Sequence, residues 1–116
     1  MKFKFEKDMH IMVDIVSWCR KLGADSFHID IENDETGFWL KIRCKIDMLG
    51  ETPLNELKSE LNRSRQKEIE QDYWGLMGEI ETDCELTLVG MMVDEANIGY
   101  IDDILSIEVF RSEKSV

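Results

Sequence analysis

The sequence predicts an α+β protein in which a mixed, mainly antiparallel sheet carries helices on one face. Residues 38–46, FWLKIRCKI, alternate apolar and polar side chains, which is typical of a strand with one buried face. Residues 8–22 instead repeat polar side chains at helical spacing, and residues 104–110 again favour extended structure. With the segments between them, these patterns predict the order β-α-β-β-α-α-β-β.

The first two predicted elements are a short strand and a helix. KFKFE (residues 2–6) alternates Phe3 and Phe5 with charged residues, so it predicts a half-buried edge strand. The helix is predicted from Asp8, as N-cap, to Leu22, with Gly23 ending it. Its narrow polar stripe comprises His10, Asp14, Ser17 and Lys21.

An antiparallel hairpin is predicted next, with FHIDI (27–31) and residues 38–46 as its strands and the turn-rich ENDETG between them. On the solvent-exposed face of its second strand, Trp39 lies among basic residues. Trp39 there fits either a ligand platform or packing against lysine stems or a partner, and we favour the packing interpretation.

A long helix is predicted from about residue 53 to 74. Thr52 is a suitable N-cap, and Pro53 suits the first helical position. The middle of the segment, NRSRQKE (62–68), contains no apolar residue. We therefore expect a projecting or mobile helix that stands partly away from the core.

The stretch DCELTLVGMMVDE (83–95) fits either a buried strand or a helix. We predict a helix from about 85 to 95, because a strand would leave an exposed apolar connection before the final hairpin, 98–101 with 104–110 around the Asp102-Asp103 turn. The alternative is a ferredoxin-like βαββαβ fold, in which 83–95 is extended. The helix would bury one apolar face: Leu86, Val89, Met92 and Val93.

Length and charge limit the classes of function. The 116 residues suit a single domain, which we place at 1–111 with a flexible tail at 112–116. A net charge of -11 repels phosphate backbones and anionic lipids, which disfavours nucleic-acid and membrane roles. The sequence contains neither an apolar spanning segment nor a signal-peptide core, so we expect a cytoplasmic protein.

The three cysteines, Cys19, Cys44 and Cys84, are odd in number and widely spaced. This spacing favours reduced, packed thiols over a disulfide framework, and it matches no metal-binding motif.

The element order resembles the histidine-kinase-like ATPase fold, also called the GHKL or Bergerat fold, of sensor kinase catalytic domains and anti-sigma-factor kinases. In that family a helix carries an acid and, four residues on, a magnesium-binding asparagine; Asp14 and Trp18 stand at those positions. An Asp-x-Gly-x-Gly box, whose aspartate accepts the adenine amino group, matches Asp47 in DMLGE, with Gly50 one residue out of register. The resemblance implies Asp14 as the catalytic base if the protein is active, and these four positions as the contacts of any bound nucleotide.

The same family binds phosphates through the backbone of a Gly-x-Gly-Leu segment at the start of the helix before the final hairpin. In this sequence Asp83 and Glu85 stand where those glycines should be. Each carboxylate opposes a phosphate charge by roughly 4 kcal/mol at about 4 Å and an effective dielectric of about 20. Since Trp18 also replaces the metal-binding asparagine, the resemblance implies a degenerate nucleotide site with no cofactor and no metal expected.

The sequence therefore predicts a non-catalytic regulatory or protein-interaction module. It would bind another protein, with a basic surface, through the long helix and the face that holds Trp39. The alternative is a divergent ATP-binding kinase or anti-sigma-type switch that uses Mg-ATP. The identity of the partner and the oligomeric state stay open.

Overall fold

The computed structural model describes residues 4–62, 65–66 and 85–113. None of the helices in these ranges is long and apolar enough to cross a bilayer. In chain order, the helices and strands of these ranges are α1 (Lys4–Lys21), β1 (Phe27–Asn33), β2 (Gly37–Lys45), α2 (Glu51–Leu61), α3 (Glu85–Met92), β3 (Glu95–Ile101) and β4 (Ile104–Ser112).

The four strands form one sheet in the order β1-β2-β4-β3, and every pairing between them is antiparallel. The α+β class is therefore confirmed. Alternate residues of the two central strands face the helices and are buried, as the pleat requires. The main core residues are Phe38, Leu40, Ile42 and Cys44 of β2, Leu105, Ile107 and Val109 of β4, and Ile11, Ile15, Leu57, Leu61 and Val89 of the helices.

Both predicted hairpins are confirmed. Alternation in β2 buries one row of apolar side chains and leaves Lys41, Arg43 and Lys45 exposed. Asp102 and Asp103 both adopt positive φ angles, 52° and 64°. Positive φ at two consecutive turn residues is the conformation that matches strand twist in a two-residue hairpin, and aspartate tolerates it better than most residues. Gly23, at φ 105°, ends α1 as predicted.

The ambiguous stretch is helical where the structure describes it. α3 covers Glu85–Met92, and all four side chains predicted to be buried lie in the core: Leu86, Val89, Met92 and Val93. The ferredoxin-like alternative, which requires an extended chain here, is wrong. The helix ends earlier than the predicted residue 95, because the Asp94 amide donates to the Phe110 carbonyl (2.8 Å) and β3 begins at Glu95.

The predicted N-terminal strand is wrong. Residues 4–6 already belong to α1, so the helix does not begin at Asp8. Asp8 lies inside the helix and is only 1% exposed, because it contacts Arg111 of β4 instead of capping a helix end. The alternation of two phenylalanines was too short to indicate a strand; Phe5 is 69% exposed, and Phe3 lies outside the described residues.

The long helix is also wrong in its extent. α2 begins at Glu51 with Gly50 as N-cap, two residues before the predicted start. Pro53 fits because the first intrahelical hydrogen bond is donated by Leu54, so the missing N–H of proline costs nothing.

At its other end α2 stops at Leu61, where both the backbone and the side-chain amide of Asn62 donate to the Lys58 carbonyl. Arg65 then contacts Asp94 and the Ser112 carbonyl at 2.7 and 2.8 Å, so residue 65 follows a path towards β3 and β4. Residues 63–64 and 67–74 of the predicted helix lie outside the described residues.

The predicted tail begins too early. Ser112 belongs to β4, Glu113 is 7% exposed, and the Glu113 amide donates to the Thr36 carbonyl at 3.1 Å. The alternation of β4 therefore continues past Val109, and it places Arg111 and Glu113 on the core side.

We predict that Gly37→Ala destabilises the protein. An added Cβ would collide with the Arg111 carbonyl oxygen and lie 2.8 Å from Cε1 of Phe110. Such overpacking costs about 1–3 kcal/mol, which chemical denaturation measures as a lower free energy of unfolding. Gly99→Ala is the matched strand control, because its Cβ meets nothing within 4 Å. Equal losses in the two variants would show that the close approach is not the cause.

Candidate functional site

The side of the sheet opposite the helices presents exposed and half-buried side chains from all four strands. We call this surface the open face. Strand register aligns its residues in rows across the sheet. The rows are Glu32, Trp39, Phe110 and Glu95; then Asp30, Lys41, Glu108 and Asn97; then His28, Arg43, Ser106 and Gly99.

The first row contains an aromatic pair between two acids. Trp39 and Phe110 are direct cross-strand neighbours, with ring centroids 4.7 Å apart and planes inclined by 38°. Aromatic pairs at this spacing add about 0.5–1.5 kcal/mol beyond their buried area. Trp39 thus packs on an aromatic ring, where the sequence suggested lysine stems or a partner, and both rings stay half-buried.

The charges of the open face alternate across the second row. Lys41 has Asp30 on one side and Glu108 on the other, and opposite charges in adjacent strands stabilise a sheet. In the third row the cross-strand neighbours of Arg43 are His28 and Ser106. The small Ser106 and Gly99 leave an open depression of about 540 Å³ beside it, lined also by Lys41, Asn97 and Glu108.

The residues that matched the nucleotide-binding positions of the GHKL family make local contacts in this structure. Asp14 is 8% exposed, and its Oδ2 lies 2.7 Å from Nδ1 of His10, one turn earlier on α1. Trp18, the position of the family's metal-binding asparagine, is half-buried and packs against the core.

Asp47 points away from the core, with its side chain 75% exposed and Oδ1 3.8 Å from Lys45 Nζ. The backbone beside it bonds to the β3–β4 hairpin, since the Leu49 amide donates to the Tyr100 hydroxyl at 3.0 Å. Gly50 caps α2 with φ -72°, an angle that any residue adopts, so the backbone there does not require glycine. Asp83 and the side chain of Glu85 lie outside the described residues, so the predicted electrostatic repulsion between these acids and a phosphate stays a prediction.

A buried ion cluster lies on the core side of the sheet, and sequence reasoning missed it. The Arg111 side chain is fully buried, with Nε 3.6 Å from Asp8 Oδ1 and 3.5 Å from Glu113 Oε2. Arg111 Nη1 also donates to the Met92 carbonyl at the C-terminus of α3 (2.9 Å), where a cation is favourable. The sequence signal for this burial was the alternation of buried and exposed residues in β4, which continues beyond Val109 to Arg111.

Two further groups border the buried ion cluster. Asn33 Nδ2 donates to Asp8 Oδ2 at 3.2 Å, and Lys4 Nζ lies 3.6 Å from Glu113 Oε1. Burial first, and then the neighbouring Glu113 carboxylate, raise the pKa of Asp8 to about 8, against the opposing charges of Arg111 and Lys4. This shift favours the protonated form of Asp8, which reduces the repulsion between two buried carboxyl groups.

Cys19 and Cys44 are free and buried, as predicted for reduced, packed thiols. The neighbouring Cys44 and burial together raise the pKa of Cys19, which keeps its thiol protonated and unreactive. Cys84 lies outside the described residues. In the ranges that the structure describes, no three His, Cys, Asp or Glu side chains are grouped as metal ligands.

No family model matches this chain, and the search of curated proteins finds no match.

We predict that Asp8→Asn changes the pH dependence of stability. Asp8 binds its proton more tightly in the folded protein than in the unfolded chain, where its pKa is near 4, so its contribution falls as pH rises from about 4 to 8. Between pH 5 and pH 7.5, the wild type should lose about 3 kcal/mol relative to Asp8→Asn, measured by urea denaturation.

Asp30→Asn controls for the loss of one carboxylate, because Asp30 is exposed on the open face. A constant difference between wild type and Asp8→Asn across this pH range would show that Asp8 is ionised in the folded protein.

Proposed function

We propose that this chain is a non-catalytic, cytoplasmic regulatory module that acts by binding another protein through the open face. The observation that carries the proposal is the composition of this face. It combines an aromatic pair with rows of exposed charges, while the described helices pack on the other side of the sheet. Aromatic and arginine side chains beside polar groups are the types enriched at protein interfaces.

The state of the nucleotide positions supports a binding role over ATP chemistry. A catalytic base must reach its substrate, whereas Asp14 is buried against His10 on its own helix. Asp47, the residue that would read adenine, is exposed beside Lys45, and its loop is tied to the β3–β4 hairpin. A fold of this class does not by itself imply an activity.

The charge of the chain supports a partner with a basic surface. A net charge of -11 creates a negative field that accelerates association with cations and repels acidic proteins. On the open face both outer strands carry acids, Glu32 and Asp30 on β1 and Glu95 on β3, and Glu108 adds a further acid on β4.

Site-specific photo-crosslinking tests the proposal in the cells that produce the protein. We expect a photoreactive amino acid in place of Glu108, at the exposed centre of the open face, to give a discrete adduct with another protein. The same replacement at Val13, which is 54% exposed on α1, is the matched control and should give none. Absence of an adduct from Glu108, or the same adduct from both positions, would contradict the proposal.

A thermal-shift titration separates this function from the kinase alternative. We expect ATP and ADP, with or without magnesium, to leave the Tm unchanged, because a ligand stabilises a protein only if it binds the folded state. A saturable rise in Tm that Asp47→Asn abolishes would instead establish a divergent nucleotide site.

A further inference from the structure

β1 is an edge strand whose outer side is open in the part of the chain that the structure describes. It pairs with β2 on one side only, and six of its seven residues are exposed. Ile29 and Ile31 are 39% and 43% exposed, whereas their cross-strand neighbours Ile42 and Leu40 are fully buried. The apolar row that forms the core therefore continues to the sheet edge, where no described strand or helix covers it.

The hairpin register shows which backbone groups point outward from this edge. The Asp34 amide donates to the Gly37 carbonyl at 3.0 Å, which makes these residues a hydrogen-bonded pair. Because bonded and non-bonded pairs alternate in an antiparallel ladder, residues 28, 30 and 32 turn their backbone towards β2. The N–H and C=O groups of Ile29 and Ile31 consequently point away from the sheet.

The two faces of β1 have different chemistry. Ile29 and Ile31 lie on the core side, and Asp30 and Glu32 lie on the open face. A new strand added antiparallel to this edge would bond directly to the isoleucines and place side chains beside them on the same face. Its alternate residues would form the closer, non-bonded pairs with Asp30 and Glu32, where cations are favourable.

We propose that β1 binds an extended peptide segment of a partner protein that alternates Lys or Arg with β-branched apolar residues, added antiparallel as a fifth strand. This proposal rests on the proposed function and names the partner's binding segment. Main-chain hydrogen bonds to Ile29 and Ile31 supply affinity, and the acids supply selectivity for basic residues. The cationic side chain opposite Glu32 extends the row that already holds Trp39 and Phe110, with Glu32 between the cation and the aromatic pair.

A second copy of this chain fits the edge less well than a basic segment. Antiparallel pairing of two β1 strands over their full length would place Asp30 opposite Asp30 of the other copy. Each copy also carries a net charge of -11, so the two surfaces repel one another.

Fluorescence anisotropy with a labelled peptide of alternating lysine and valine, seven residues long, tests the proposal on the full chain. Two forms of the peptide are compared, one N-methylated at the valines and one at the lysines. In the proposed geometry the valine N–H groups point at β1, so methylation there should weaken binding about tenfold or more, while methylated lysines are tolerated. Equal affinity of the two forms, or a loss confined to the lysine-methylated form, overturns antiparallel addition.

A pair of charge reversals locates the binding edge. Glu32 and Glu95 occupy the two ends of the same row, so Glu32→Lys and Glu95→Lys change the net charge equally at opposite edges. We expect Glu32→Lys to weaken peptide binding about tenfold, and Glu95→Lys to change it much less. Equal effects of the two variants would overturn the assignment to β1.

Different results would reject the proposed function and the assignment of the peptide site to β1. A crosslinked adduct at Glu108, combined with no peptide binding to the wild type, would support the function and reject β1 as its peptide site. Monomeric behaviour in sedimentation is expected, and a dimer that Glu32→Lys alters would assign the edge to a second copy instead.

Discussion

The guanidinium of Arg111 joins more of the structure than any local motif does. It lies beside Asp8 of α1 and Glu113 after β4, and it donates to the last carbonyl of α3. A fully buried cation is costly unless its charge is balanced and its donors are used. These contacts fix how the first helix, the last strand and the helix between them meet at one end of the sheet, so the core and the open face both depend on them.

Sequence patterns predicted the elements that depend on nearby residues and missed those that depend on contacts between distant ones. The two hairpins and the buried side of α3 follow from alternation or helical spacing within a few residues, and these features were confirmed. Asp8 was interpreted as a helix cap because a lone acid usually stays in water; its partner lies at the other end of the chain. The end of α2 was missed because residues 62–68 are all polar, so no break in an apolar pattern marks where the helix stops. The only mark is the Asn62 side chain, which donates to the Lys58 carbonyl.

The candidate site was predictable to a similar degree. Alternation in β2 placed Trp39 and its basic neighbours on one face, but their partners depend on strand order and register. No local pattern indicates that Phe110 lies opposite Trp39, or that β1 and β3 are the outer strands. The acids of the nucleotide-site resemblance illustrate the same limit, since spacing matched Asp14 and Asp47 to a family whereas their contacts are with His10 and Lys45.

The buried ion cluster also has a consequence for how the chain folds. Its members come from the first helix and the last strand, so it forms only after nearly the whole chain has closed on itself. Closure over so many residues is entropically expensive, and contacts of this range slow folding. During synthesis on the ribosome, Asp8 therefore cannot reach its buried contacts until Arg111 and Glu113 have been made.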